Sequence, residues 1–206
     1  MIRAAILISG RGSNMQALLD AQLDVEWALV LSNVASAGGL EIARARGVPT
    51  EVVSHHGFAT REAFDTALLA RVQAYAPDLV VLAGFMRVLT PVFLMPFAHR
   101  LLNIHPSLLP AFPGLNTHAR ALHAGVKLHG ATVHFVTEAV DHGPIVIQAA
   151  VPVLPDDDSA RLAARVLRVE HQIYPRAVAW FAAGRIQIGG EIARVAGDSQ
   201  WLCFDA

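Results

Sequence analysis

Residues 1–14 read Met1-Ile-Arg-Ala-Ala-Ile-Leu-Ile-Ser-Gly-Arg-Gly-Ser-Asn14, a short apolar run that breaks into glycines. Ala4–Ile8 has no polar alternation, which marks a strand buried on both faces. Helical spacing then begins at Asn14 and runs to Ala21. A strand that feeds a helix through a glycine turn is the opening unit of an α/β sheet. The alternation continues outward from it. Trp27–Leu31 and Leu79–Leu82 read as further buried strands, with helical patterns at Gly38–Arg46 and Arg61–Tyr75. In Arg61–Tyr75 the residues Phe64, Leu68, Leu69, Val72 and Tyr75 share one face, and Thr60 is the expected N-cap. The fold class expected is α/β, a mostly parallel twisted sheet with helices on both faces.

The second half has a different texture. Arg100–Ile104 is a short strand that runs into His105-Pro-Ser-Leu-Leu-Pro-Ala-Phe-Pro-Gly114. Three prolines and a glycine in those ten residues exclude regular structure. Thr117–Ala124 reads as a short helix. Ala131–Val136 and Ile145–Val153 read as strands joined by a polar loop, Thr137–Pro144. Ser159–Ala183 has the period of a long helix, with Pro175 expected to kink it. The tail after Gly184 is weakly patterned, and its expected role is to cover the sheet.

The bulk numbers narrow the function classes. The chain has 206 residues, 54% of them hydrophobic and 16% charged, which suits one domain over 1–206 with a sizeable core. A net charge of −1 gives no general attraction to nucleic acid or anionic lipid. The single cysteine, Cys203, excludes an internal disulfide and a Cys-based zinc site, and fits a reducing cytoplasmic compartment. The N-terminal apolar run is too short for a signal peptide. No stretch of about 18 apolar residues exists to span a membrane.

Three segments carry candidate chemistry. Gly10-Arg-Gly-Ser-Asn14 lies where backbone N–H groups and a helix N-terminus could hold an anion. Met15 fills the third glycine position of a dinucleotide fingerprint, and no P-loop lysine follows. A single phosphate ester therefore fits better than a dinucleotide or triphosphate. A plain tight turn that caps a helix remains the other reading. In Asn103-Ile-His-Pro-Ser-Leu-Leu-Pro110, strand alternation turns Asn103 and His105 to one side. An amide and an imidazole aimed together could stabilise charge on a carbonyl oxygen. A strand-end histidine bonded to backbone is the plainer alternative. Asp141-His-Gly-Pro144 offers either an Asx-type turn or a carboxylate that holds His105 charged.

The ten histidines do not form a metal pattern. His55 and His56 are adjacent, whereas His118 and His123, and His129 and His134, are five apart. His134 is strand-borne without an evident carboxylate partner, and no metal is expected. Asp156–Asp158 reads as a solvated turn ahead of a helix.

Together these segments closely resemble the phosphoribosylglycinamide formyltransferase family, the folate-dependent formyltransferases of purine synthesis. The likeness rests on Gly10–Asn14, Leu82-Ala-Gly-Phe-Met-Arg-Val-Leu89, Asn103–Gly114, His129–Val136 and Asp141–Pro144, in order and across roughly Ile2 to Gly184. It implies a Rossmann-like formyltransferase fold. It implies Asn103, His105 and Asp141 as the catalytic trio, and Gly12, Ser13, Asn14 and Glu170 as contacts to glycinamide ribonucleotide. Arg61, Met86, Arg87, Val88 and Leu89, with Asn103, would contact 10-formyltetrahydrofolate, a co-substrate. A homodimer is compatible with it. Arg11 stands where the family often has Asn, and His142 fills a variable position. Two related activities are set apart here by expectation: methionyl-tRNA formyltransferase by its basic tRNA-binding domain, and formyltetrahydrofolate deformylase by its regulatory domain. A catalytically silent binding module would have no use for the trio.

Overall fold

A computed structural model of the chain describes residues 1–203. Its residues fall into two compact units, one from Met1 to Asn103 and one beginning at Ile104.

The first unit is built on parallel strands. They are β1 (Ile2–Ile8), β2 (Val25–Ser32), β3 (Thr50–Val52), β4 (Leu79–Leu82) and the start of β5 (Leu101–His105), in the order β5-β4-β1-β2-β3. Ala4, Ala5, Ile6, Leu7 and Ile8 are fully buried, so the opening apolar run is a central strand as expected. The helices are α1 (Ser13–Asp20), α2 (Gly39–Ala45), α3 (Arg61–Gln73) and the single turn α4 (Pro91–Leu94). Thr60 caps α3, its hydroxyl accepting the Ala63 N–H at 3.1 Å. Phe64, Leu68 and Val72 bury the helix against the unit, each contributing about 1.5–3 kcal/mol. Tyr75 lies past the helix end, its hydroxyl donating to Glu51 at 2.9 Å. The same helical face also buries a carboxylate, Asp65.

The second unit opens with the end of β5 at His105. Strands β6 (Leu128–Phe135) and β7 (Ile145–Pro152) form an antiparallel hairpin. Helix α5 (Thr117–His123) precedes it and α6 (Ser159–Ala182) follows. Leu162, Val166, Val169, Ile173, Ala177 and Trp180 lie along one face of α6 and are buried; the helix packs on β6 and β7. It runs on through Pro175. Asp158 caps it by accepting the Arg161 N–H at 2.8 Å. Asp157 is not solvated as expected. Its side chain is 1% exposed and accepts from both terminal guanidinium nitrogens of Arg165, at 2.6 and 3.0 Å, which holds its carboxyl below the usual range.

The tail departs from expectation. Strands β8 (Ile186–Gly189) and β9 (Ile192–Val195) make a separate hairpin, and β10 (Trp201–Cys203) adds to the edge of β7 in parallel. The last strand of the tail thus extends a sheet edge, which its weak pattern does not foretell; residues 204–206 lie outside the described residues. Gln200 fixes this arrangement. Its amide nitrogen donates to the carbonyls of Val146 and Ala193, and its amide oxygen accepts the Val195 N–H.

Candidate active site

In the first unit, the glycine loop leads into α1, which starts at Ser13, one residue earlier than expected. Gly12 has φ 78°, and a Cβ there would sit 2.8 Å from the Gly39 Cα at the start of α2. The Gly39 N–H donates to the Gly10 carbonyl at 3.1 Å. Packing therefore accounts for Gly12 on its own. Ser13 and Asn14 form the first turn of α1.

The segment after β4 carries Met86, Arg87, Val88 and Leu89. Met86 is 68% exposed and Val88 is half exposed, whereas Leu89 is buried. The loop is held by side chains that sequence reasoning did not single out. Ser9 Oγ accepts the Met86 N–H at 2.8 Å and donates to Asn33 Oδ1 at 2.6 Å. Asp65 accepts the Thr90 N–H and hydroxyl. The Arg87 guanidinium lies 5.9 Å from the centre of the Phe64 ring. Arg61, an expected folate contact, is the exposed first residue of α3. A signal for Asp65 was present: it is a charge at a position that the apolar spacing of Phe64, Leu68 and Val72 turns inward.

In the second unit the strand end and the polar loop meet. His105 Nδ1 is 3.3 Å from Asp141 Oδ2, with both side chains nearly buried. His105 Nε2 faces the Phe112 carbonyl at 3.0 Å. Both ring nitrogens thus face acceptors, which a doubly protonated imidazolium satisfies. Asp141 also accepts the Gly114 N–H at 2.8 Å. The proline-rich loop between is braced from the hairpin. Thr132 Oγ1 donates to the Ser107 carbonyl and accepts the Leu109 N–H. Gln148 donates to the Leu109 carbonyl.

His134 was expected to lack a carboxylate partner. Its Nε2 in fact lies 3.8 Å from Asp141 Oδ1. Its Nδ1 faces the Phe135 carbonyl at 2.9 Å, so Nδ1 carries the hydrogen. Burial lowers its pKa, against the pull of that carbonyl and of Asp141. Two more histidines stand nearby. The rings of His118 and His129 meet edge to face at 5.3 Å, and His129 packs the same way on Phe112. Burial first, and then the charges of His118 and His105, push His129 down to about 4. Among the described residues no group of three or more His, Cys, Asp or Glu is placed to hold a metal ion.

Gly143 has a steric reason to be glycine. A Cβ there would fall 1.7 Å from the Phe135 carbonyl oxygen. A cavity of about 340 Å³ opens beside Asp141, lined by Leu109, Pro110, Ile145 and, from the tail hairpin, Glu191 and Ile192. Glu170 lies on α6, 7% exposed. Asn103 precedes His105 by two residues on β5, which by strand alternation turns both to one side.

Parallel α/β strands with a histidine–carboxylate pair at a strand end define an enzyme of the α/β class. The model of the formyl transferase family matches residues 2–178. Phosphoribosylglycinamide formyltransferase of Escherichia coli K12 is 50% identical over 187 residues, which is 89% of this chain and 88% of that protein. The trifunctional purine biosynthetic protein adenosine-3 of Drosophila melanogaster is 48% identical over 93% of this chain, which spans 15% of that longer protein. The crystal structure of glycinamide ribonucleotide transformylase 1 from Symbiobacterium toebii superposes with a TM-score of 0.93 at 51% identity, covering 95% of this chain and 94% of that one. The chain belongs to the formyl transferase family. No helix among the described residues is long and apolar enough to cross a membrane.

Proposed function

We propose that the chain transfers the formyl group of 10-formyltetrahydrofolate to the amine of 5-phosphoribosylglycinamide, in the cytoplasm and as one domain over 1–206. The observation that carries this reading is the His105–Asp141 pair, 3.3 Å apart, with a second acceptor at the far side of the imidazole. The substrate amine attacks the formyl carbon. A carbon–nitrogen bond forms, the bond to the folate nitrogen breaks, and the proton leaving the amine ends on that nitrogen. Asn103 and the imidazolium of His105 stabilise the tetrahedral oxyanion. Asp141, facing Nδ1 of the ring, orients it and helps relay the proton. For His105 Nε2 to donate to the oxyanion, its bond to the Phe112 carbonyl must be exchanged for one to substrate.

Gly12, Ser13 and Asn14 are assigned to the substrate phosphate, where α1 directs its N-terminal N–H groups. Glu170 is assigned to the glycinamide substrate. Arg61, Met86, Arg87, Val88, Leu89 and Asn103 are assigned to the folate. The exposed Met86 and Val88 supply apolar surface and the loop backbone supplies donors and acceptors. A homodimer is compatible with this function.

The test is a formyl-transfer assay on the full chain. Folate release that requires glycinamide ribonucleotide supports the reading. Folate release without it identifies a deformylase instead.

A further inference from the structure

We propose that Ser9 and Asp65 are positioning residues that hold the 84–90 loop in the shape that receives folate; this rests on the functional reading above. The loop leaves β4 at Gly84, with φ 76°, and ends at Thr90. At its first end the backbone is tied to β1: the Ala83 N–H donates to the Leu7 carbonyl, and the Ser9 N–H donates to the Gly84 carbonyl at 3.1 Å. Ser9 Oγ then takes the Met86 N–H, while its own hydrogen goes to Asn33, which is 3% exposed. Asn33 Nδ2 lies 3.1 Å from His55 Nδ1, so the chain of bonds ends on a second side chain rather than in solvent.

At its other end the loop meets α3. One oxygen of Asp65 accepts both the Thr90 N–H at 2.5 Å and the Thr90 hydroxyl at 2.7 Å. Asp65 is 1% exposed, and a buried carboxylate is costly beside an apolar residue of similar volume. Packing alone would be served by leucine or methionine. A carboxylate oxygen does something they cannot, which is to gather two donors and so fix the direction of Thr90. Between the two anchors stand Met86 and Val88, with large exposed apolar side chains, and Arg87, which reaches back over Phe64 on the same helix. Apolar groups held in water by polar anchors at each end make a preorganised binding edge. Ser9 also directly precedes Gly10, so the residue that steadies the folate loop adjoins the loop assigned to phosphate.

The experiment compares Asp65→Ala, Asp65→Asn, Thr90→Val and Ser9→Ala with the parent chain. Steady-state rates are measured against each substrate in turn, and tetrahydrofolate binding is measured by calorimetry. Asp65→Ala should raise the KM for 10-formyltetrahydrofolate about tenfold, as expected for two lost hydrogen bonds. The kcat and the KM for glycinamide ribonucleotide should stay close to the parent values. Asp65→Asn should restore most of the loss, because its amide oxygen can accept both donors. Thr90→Val, which removes one bond and keeps the fold, should raise the same KM about threefold. Ser9→Ala should weaken tetrahydrofolate binding in parallel. Equal losses toward both substrates, or a fall in thermal stability with unchanged folate binding, would overturn the proposal. So would parent-like folate binding by Thr90→Val and Ser9→Ala if Asp65→Ala does not fold. A parent chain that binds no tetrahydrofolate overturns the functional reading itself, whatever the variants do.

Discussion

Asp141 has φ 54°, in the left-handed region that asparagine and aspartate tolerate better than other side-chain-bearing residues. This decides which substitution tests its chemistry. Asp141→Asn keeps the backbone preference and can still accept the Gly114 N–H, but removes the charge that faces His105. Turnover should fall by about 10² to 10⁴, the usual span for lost acid–base help, while binding of the phosphate substrate stays nearly intact. Single-turnover rates beside a binding isotherm check it, and near-normal turnover would sink the role. Asp141→Ala is a poorer probe, since alanine at positive φ adds about 1–3 kcal/mol of strain. At this scale the sequence was partly legible. The alternation of Asn103 and His105 followed from strand geometry. The meeting of Asp141 with His134 did not, because one lies on a strand and the other on the loop that folds back to it.

Whole elements were legible where the chain repeats a period long enough to read. Strand β1, helix α3 and helix α6 each carry their own pattern. Strand β3 does not: Thr50-Glu-Val52 is too short to show any alternation. Strand β10 is as short, and its reason for being a strand is Gln200, the residue before it, whose side chain bonds to both β7 and β9. Gln200→Ala should therefore loosen the whole tail. The expected cost is ~1–3 kcal/mol, read as a lower urea midpoint, with early proteolytic nicking near residues 196–200. A midpoint equal to that of the parent chain would show that β10 holds its place without the amide.

For the molecule as a whole, buried histidines set the response to acid. Burial lowers the pKa of His118, His129, His134 and His171. His129 stands at about 4 when folded, against 6.5 as its ordinary value. Below pH 6.5 the unfolded chain takes a proton that the folded chain refuses. Stability is thus fully present above pH 6.5 and falls as the pH drops toward 4. From His129 alone the loss between pH 7 and pH 5 is ~2 kcal/mol. Urea midpoints at the two values measure it. His129→Asn should shrink the difference by about that amount, leaving the share of the other three histidines, and a flat profile in the parent chain would refute the assignment. Asp157 acts in a separate window, its stabilisation present above 3.8 and lost below that as its carboxyl protonates. None of this could be read from composition, because a histidine count says nothing of which rings are sealed from water.

Two glycines of the β6–β7 hairpin carry one last consequence. A Cβ at Gly130 would fall 1.9 Å from the Ala149 carbonyl oxygen, and one at Gly143 would strike the Phe135 carbonyl. Both letters are therefore dictated by backbone proximity alone. A descendant of this gene that lost its activity could exchange Asp141 for asparagine, which tolerates the same backbone and still accepts the Gly114 N–H, yet would keep both glycines for as long as it folded. In a survey of genomes, then, Gly130 and Gly143 would mark ancestry, and the trio of Asn103, His105 and Asp141 would separate the living enzyme from its relic.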